Sequence, residues 1–158
     1  MNRLTCQKEF DIRFSEVDSM GIVWHGSYSL YFEDAREEFG RQYNIEYLYI
    51  FDQGFYAPIV ELHIEYKNPL RYKDRARIEI SYRHTEAAKL IFDYKIFNAD
   101  SGKLSATGYS VQVFLDRDFN LMWDVPAFIR QWGRRNRILT NYRFLSHSHF
   151  IKLLRWCG

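Results

Sequence analysis

Apolar and polar residues alternate at the start of the chain. Leu4, Cys6, Phe10, Ile12 and Phe14 share one parity, broken only by Lys8, while Thr5, Gln7, Glu9, Asp11 and Arg13 take the other. A period of two with one wet face predicts a half-buried strand over 4–14. A loop, Ser15–His25, follows. The period then lengthens: Tyr28, Tyr31, Phe32, Ala35 and Phe39 recur at helical spacing and predict a helix over 27–42. Gly26 or Ser27 is placed to cap its start, Gly40 marks its approaching end, and Glu37–Arg41 is a favourable i,i+4 pair. Such a helix is roughly 24 Å long.

Residues 43–55 fit a helical turn followed by a loop near Gly54. Alternation then returns. Pro58, Val60, Leu62, Ile64 and Tyr66 oppose Glu61, His63 and Glu65; Ile78, Ile80 and Tyr82 oppose Arg77, Glu79 and Ser81; Leu90, Phe92, Tyr94 and Ile96 line one face of 89–97. Asn98–Gly102 is a hairpin turn, 103–115 a fifth strand with Gly108 as a candidate bulge, and Asp124-Val-Pro126 a helix start for Pro126–Trp132. One strand, one long helix and four closely connected strands predict an α+β fold, a five-stranded antiparallel sheet whose apolar face is covered by one helix.

Composition bounds this picture without redirecting it. A length of 158 residues favours one domain, and 47% hydrophobic with 18% aromatic residues supports a core. The formal charge of +2 divides unevenly: residues 134–158 hold Arg134, Arg135, Arg137, Arg143, Lys152 and Arg155 with no acid, so +2 less +6 leaves −4 on residues 1–133. A mildly acidic domain followed by a basic, peripheral tail does not suit a nucleic-acid-binding core. Cys6 and Cys157 have no metal or redox spacing. The start has no apolar signal-peptide core and no run approaches the ~20 apolar residues of a membrane span. These features lead us to expect a soluble protein of the reducing cytoplasm.

Candidate chemistry gathers in the loop before the long helix. Asp18 and His25 lie seven apart, and the helix begins at Gly26–Ser27. A first helical turn offers unpaired N–H groups and partial positive charge, which would polarise an ester or thioester carbonyl, and a nearby carboxylate would attack that carbonyl or activate water. A structural role fits the same residues: Asp18 bonding loop amides, His25 a helix-entry residue. No phosphate-binding Gly-rich loop and no nucleophile elbow is present.

The stretch DSMGIVWHGSY over 18–28, followed by Tyr31-Phe32-Glu33 and Ala35-Arg36, resembles the signature of hot-dog-fold acyl-CoA thioesterases of the 4-hydroxybenzoyl-CoA and Tol-Pal-associated types. The likeness runs in outline over 4–132 and includes the later Asn68–Asp74 connection. It implies a hot-dog fold, homodimers or homotetramers whose sheets join edge to edge, hydrolysis of an acyl-CoA substrate, and no metal or other cofactor. By position it makes Asp18 the catalytic nucleophile or base, gives His25 a backbone N–H at the carbonyl and, as in the Tol-Pal-associated type, a catalytic imidazole. The Tol-Pal-associated type carries a Tyr four residues before the Asp; this chain has Phe14 there. Trp24, Gly26, Ser27 and Tyr28 are expected around the acyl group, and Lys67, Arg71, Lys73 and Lys89 are candidates for the phosphates of coenzyme A. Trp24 and Tyr28 are equally readable as core aromatics, the cations as surface charge, and Glu33 as a loop anchor or alternative acid. His63, His84, His147, His149 and Cys6 have no evident ligand partners. Acyl-carrier-protein thioesters, hydratase or dehydratase chemistry and non-catalytic acyl-CoA binding are the rival readings.

Overall fold

The computed structural model describes residues 4–138. The elements are β1 (Thr5–Asp11), a 3-10 turn (Phe14–Glu16), α1 (Ser27–Tyr43), α2 (Tyr47–Asp52), β2 (Ile59–Tyr66), β3 (Arg75–Arg83), β4 (Lys89–Asn98), β5 (Leu104–Val113) and α3 (Ala127–Arg135). The five strands form one antiparallel sheet in the order β1-β3-β4-β5-β2. The long helix lies against one face of it, the α+β hot-dog arrangement expected from the order of periods.

The alternation explains the packing. Tyr28, Tyr31, Phe32, Ala35 and Phe39 are buried along α1, facing Ile78, Ile80, Phe92, Tyr94 and Ile96 from the sheet. Phe32 stacks on Tyr94 with ring centroids 4.0 Å apart, and Phe39 meets the edge of Phe92 at 5.1 Å. Each such burial stabilises the fold by about 1.5–3 kcal/mol. The helix stops where Asn44 turns left-handed (φ 55°) and donates its N–H to Gly40 O, so Asn44 rather than Gly40 ends it. The undecided stretch 43–55 contains α2. The hairpin at 98–102 is held by Asn98 Oδ1, which accepts the N–H groups of Asp100 and Ser101.

Three expectations need correction. The first strand ends at Asp11, and Phe14 is 75% exposed because the chain has already entered the 3-10 turn there. Gly108 is not a bulge: it pairs in register with Tyr94 and Ile64, and the irregularities fall at Ile96/Phe97 and Ile59/Glu61. What requires glycine at 108 is crowding, since a Cβ there would stand 2.2 Å from His63 O and 2.7 Å from the Phe32 ring. Finally, β2 keeps its alternation but not its burial. It is one of the two edge strands, and Leu62 and Tyr66 remain 42% and 52% exposed.

The last helix docks through Trp132, whose Nε1–H donates to Tyr43 O at 2.8 Å. It runs on to Arg135, past the division placed after 133, and Ile138 beyond it is still buried. His147, His149, Cys157 and the rest of the basic tail from 139 lie outside the described residues.

Candidate active site

The segment between β1 and α1 folds into a tight hairpin. Val17 bridges Val23, Asp18 N–H donates to Ile22 O, and Gly21 N–H donates to Asp18 O, both at 2.9 Å. Gly21 adopts φ +71°, which the turn requires. Asp18 Oδ1 accepts Met20 N–H at 2.8 Å, and among the described residues Oδ2 has no partner. The base of the hairpin is stitched on both sides: Trp24 N–H donates to Glu16 O, and Val23 N–H to Leu70 O, each at 2.8 Å. Glu16 also accepts Arg13 N–H (2.8 Å) and the Tyr31 hydroxyl (3.1 Å) through Oε2. Burial, with the Glu16 charge beside it, raises the Tyr31 pKa well above the phenol range. Nothing in the sequence pattern singled out Glu16, fifteen residues from the tyrosine it holds.

The helix start is assembled from three aromatic contacts. Gly26 is the N-cap, with no side-chain cap bond. The Trp24 indole lies across it, so a Cβ at 26 would stand 2.1 Å from that ring, and the ring is 5.0 Å from the His25 imidazole. His25 O accepts the Tyr66 hydroxyl at 3.0 Å and Tyr28 N–H at 3.4 Å. Tyr66 was missed by sequence reasoning, since it lies 41 residues away and was read only as a strand position.

These bonds decide which amides are open. Ser27 N–H is taken by Trp24 O at 2.9 Å, and the residue is buried, so its expected place in the carbonyl cradle does not survive. The N–H groups of His25 and Gly26 pair with no acceptor among the described residues. Tyr28 is core: it is 3% exposed, meets Tyr66 edge-on at 5.1 Å, and burial raises its pKa. Asp18 and His25 do not bond to each other. Asp18 opposes Ile22 near the hairpin tip, three residues from His25, about 10 Å in extended chain.

The cations divide by position. Ile22 bridges Arg71, which places Arg71 beside the hairpin, and Lys67 follows Tyr66. Lys67 Nζ sits 2.5 Å from Glu65 Oε2, and that bond is the main cause of a lowered Glu65 pKa. Lys73 Nζ lies 5.6 Å from the Tyr72 ring. Lys89 is not part of this group. It pairs with Val113 at the opposite end of β4 from Ile96, whose neighbour Ala106 pairs with Tyr66. Seven residues of strand put it about 23 Å away within one chain. His63 is engaged with Glu65 and Tyr109, His84 with Glu86, and burial raises the pKa of the Cys6 thiol.

Farther along α1, Glu33 pairs with Arg36. The Arg36 side chain is only 10% exposed; its Nη1 lies 3.5 Å from Tyr94 Oη, which in turn is 2.8 Å from Ser110 Oγ. Burial raises Tyr94 to about 12. Glu33 and Arg36 line a pocket of about 370 Å³ between α1, α2 and the start of β2. Glu33 is therefore anchored to a side chain, not to loop amides.

The family model of the thioesterase-like superfamily matches residues 12–133, spanning the hairpin, α1 and the whole sheet beyond β1. The chain belongs to that superfamily. The chain is similar to YneP of Bacillus subtilis (strain 168), which bears the name acyl-CoA thioesterase provisionally; it is 30% identical over 112 residues, 71% of this chain and 80% of the relative. The 1,4-dihydroxy-2-naphthoyl-CoA hydrolase of Crocosphaera subtropica is 25% identical over 128 residues, 80% of this chain and 93% of that protein. The crystal structure of a DHNA-CoA thioesterase from Staphylococcus aureus superposes with a TM-score of 0.75 at 24% identity, covering 85% of this chain and 90% of that one, a likeness of fold. As a member of this superfamily the chain is a thioester hydrolase. Among the described residues no helix is long and apolar enough to cross a membrane.

Proposed function

We propose that the protein hydrolyses an acyl-CoA thioester at the junction of the hairpin and α1. The observation that carries this reading is the division of hydrogen bonds there. The frame is fully stitched through Glu16, Trp24, Leu70 and Tyr66, while the His25 and Gly26 N–H groups and Asp18 Oδ2 are left open. The thioester oxygen would take the two N–H groups, which hold the charge developing on it, helped by the positive end of the helix. The Asp18 carboxylate would either add to the carbonyl carbon, giving a mixed anhydride that water opens, or take a proton from the water that adds. In both routes a C–O bond forms, the C–S bond breaks, and coenzyme A leaves as a thiolate that takes up a proton. All of these steps use side chains, backbone and water. Arg71 and Lys67, beside the hairpin, would meet the phosphates of coenzyme A.

The site would be completed by a second copy. The edge strand β2 has one unpaired side, and Leu62 and Tyr66 on it are uncovered. The other edge, β1, has Leu4 and Cys6 buried. Two chains paired through β2 would bring two helix starts to one interface, and Leu62→Arg would return the protein to a monomer in sedimentation.

The deciding experiment is a hydrolysis panel of short, medium, long and aromatic acyl-CoAs with wild type and Asp18→Asn. Turnover should fall at least about 100-fold in the folded variant; near-wild-type turnover would remove Asp18 from the reaction. Single turnovers in ¹⁸O-water test the covalent route, since label recovered in Asp18 requires a mixed anhydride opened at the aspartyl carbonyl.

A further inference from the structure

We propose that the acyl group lies along the groove between α1 and β2 and ends at Glu33 and Arg36, which makes the preferred substrate a medium-length acyl chain with a hydroxyl near its far end. This rests on the thioesterase reading of the helix start.

The start of α1 meets the end of β2, and the middle of α1 meets the start of β2. At one end Tyr66 of β2 holds His25 O. At the other, Glu33 and Glu37 of α1 share a pocket with Pro58 and Ile59. Positions 26, 30, 33 and 37 form one helical stripe, so the stripe that starts at the open amide of Gly26 passes Leu30 and arrives at that pocket. Leu30 is 61% exposed, which leaves the helix side of the track between the ends apolar and open.

The far end has a different chemistry. The pocket floor is apolar, with Phe39, Ile50, Leu90 and Phe92, while Glu33, Arg36, Glu37 and Gln112 supply polar groups. A guanidinium with one side chain nearly enclosed carries more N–H groups than its Glu33 and Tyr94 partners occupy. One N–H of Gln112 Nε2 donates to Ala57 O at 2.6 Å, which leaves the second N–H and the side-chain oxygen. Glu33 is paired with Arg36 and Glu37 with Arg41, so a terminal carboxylate could bind the Arg36 guanidinium only by displacing Glu33. A hydroxyl, which donates to Glu33 and accepts from Arg36, satisfies both.

Length follows from the helix. Seven to ten residues separate Gly26 from Glu33 and Arg36, about 10–15 Å of rise. An extended chain gains roughly 1.2 Å per bond, from the span of three backbone bonds per residue. The acyl group should therefore extend about 8–12 bonds, beyond the reach of a single aromatic ring attached at the carbonyl.

The test compares kcat/KM for decanoyl-, 10-hydroxydecanoyl-, 9-carboxynonanoyl- and 4-hydroxybenzoyl-CoA. The hydroxylated chain should exceed decanoyl-CoA by about 10-fold or more, as a hydrogen bond to a charged group predicts, and should exceed both others by more. In Glu33→Gln the ratio of hydroxydecanoyl to decanoyl should shrink toward one. Hydrolysis with no hydroxyl preference, with 4-hydroxybenzoyl-CoA favoured, or with the preference intact in Glu33→Gln overturns the groove assignment while leaving the thioesterase reading in place. Hydrolysis of none of the four overturns both. Should Glu33→Gln not fold, the wild-type ratios decide alone.

Discussion

Replacing Gly108 with alanine tests how tightly the helix, the sheet and the edge strand are fitted to one another. The new Cβ would stand 2.2 Å from His63 O and 2.7 and 2.9 Å from two carbons of the Phe32 ring. Ordinary C···O contact is about 3.3–3.6 Å, so the overlap with the carbonyl exceeds about 1 Å. Neither neighbour has freedom to move. Phe32 is fully buried and stacked on Tyr94, and His63 O belongs to the backbone of β2, paired to β5. Overpacking of this kind costs about 1–3 kcal/mol, and each ladder bond lost as β2 splays adds about 1 kcal/mol. The relief from replacing a strand glycine returns about 0.5–1 kcal/mol. The net is about 3 kcal/mol, or a fall in Tm of about 6–12 °C for a chain of this size. Because β2 also carries Tyr66, thioesterase activity should fall at temperatures well below the new midpoint. Gly21→Ala is the control: nothing lies within 4 Å of its Cβ, and only its φ of +71° costs, about 1–2 kcal/mol. Calorimetry and urea unfolding on both variants check the difference. A Gly108→Ala protein that melts within about 2 °C of wild type would refute the close fit.

Tyr66→Phe removes the hydroxyl that holds His25 O; kcat should drop about 3–10-fold with stability changed by less than about 1 kcal/mol, read from steady-state kinetics and urea midpoints together. Trp132→Phe leaves Tyr43 O without its buried donor and should cost about 2 kcal/mol in urea unfolding, with no change in KM. Burial raises Tyr82 and Tyr94 to about 12 each. The unfolded phenols lose their protons near pH 10, before the folded ones, so stability is fully present below pH ~10 and falls as pH rises to about 12, by up to about 3 kcal/mol per tyrosine. Tyr82→Phe and Tyr94→Phe should each flatten that alkaline limb in a urea series from pH 8 to 12; an unchanged slope would contradict it.

The fold was legible because its core is periodic. The stripe from Tyr28 to Phe39 and the apolar positions of the alternations in β3 and β4 are buried, with Ser81 buried as well on the polar side of β3. Phe14 departed from that rule because the strand had already ended, and Leu62 and Tyr66 for a topological reason: parity says which side chains share a face, while coverage depends on which strands are at the edge. The candidate site was legible as a place, the hairpin before the helix, but not as a set of bonds. That Ser27 N–H is consumed by Trp24 O is set by the local turn geometry, and that Glu16, Tyr66 and Arg36 do the holding depends on contacts across 15 to 58 residues that no local spacing records. Lys89 was misplaced for a related reason, because antiparallel pairing carries a strand's first residue to the far end of the sheet.

Trp24 and Gly26 have a consequence for the history of this chain. The indole occupies the volume that any side chain at 26 would need. Substitutions at the two positions are therefore not interchangeable in time. A lineage that first shrinks the residue at 24 opens position 26 to alanine or serine. One that changes 26 first must turn the half-exposed indole out of its place over the helix start. The less costly order is 24 before 26, and 26 before 24 on the way back. Relatives that have lost Gly26 should therefore more often have lost Trp24 as well.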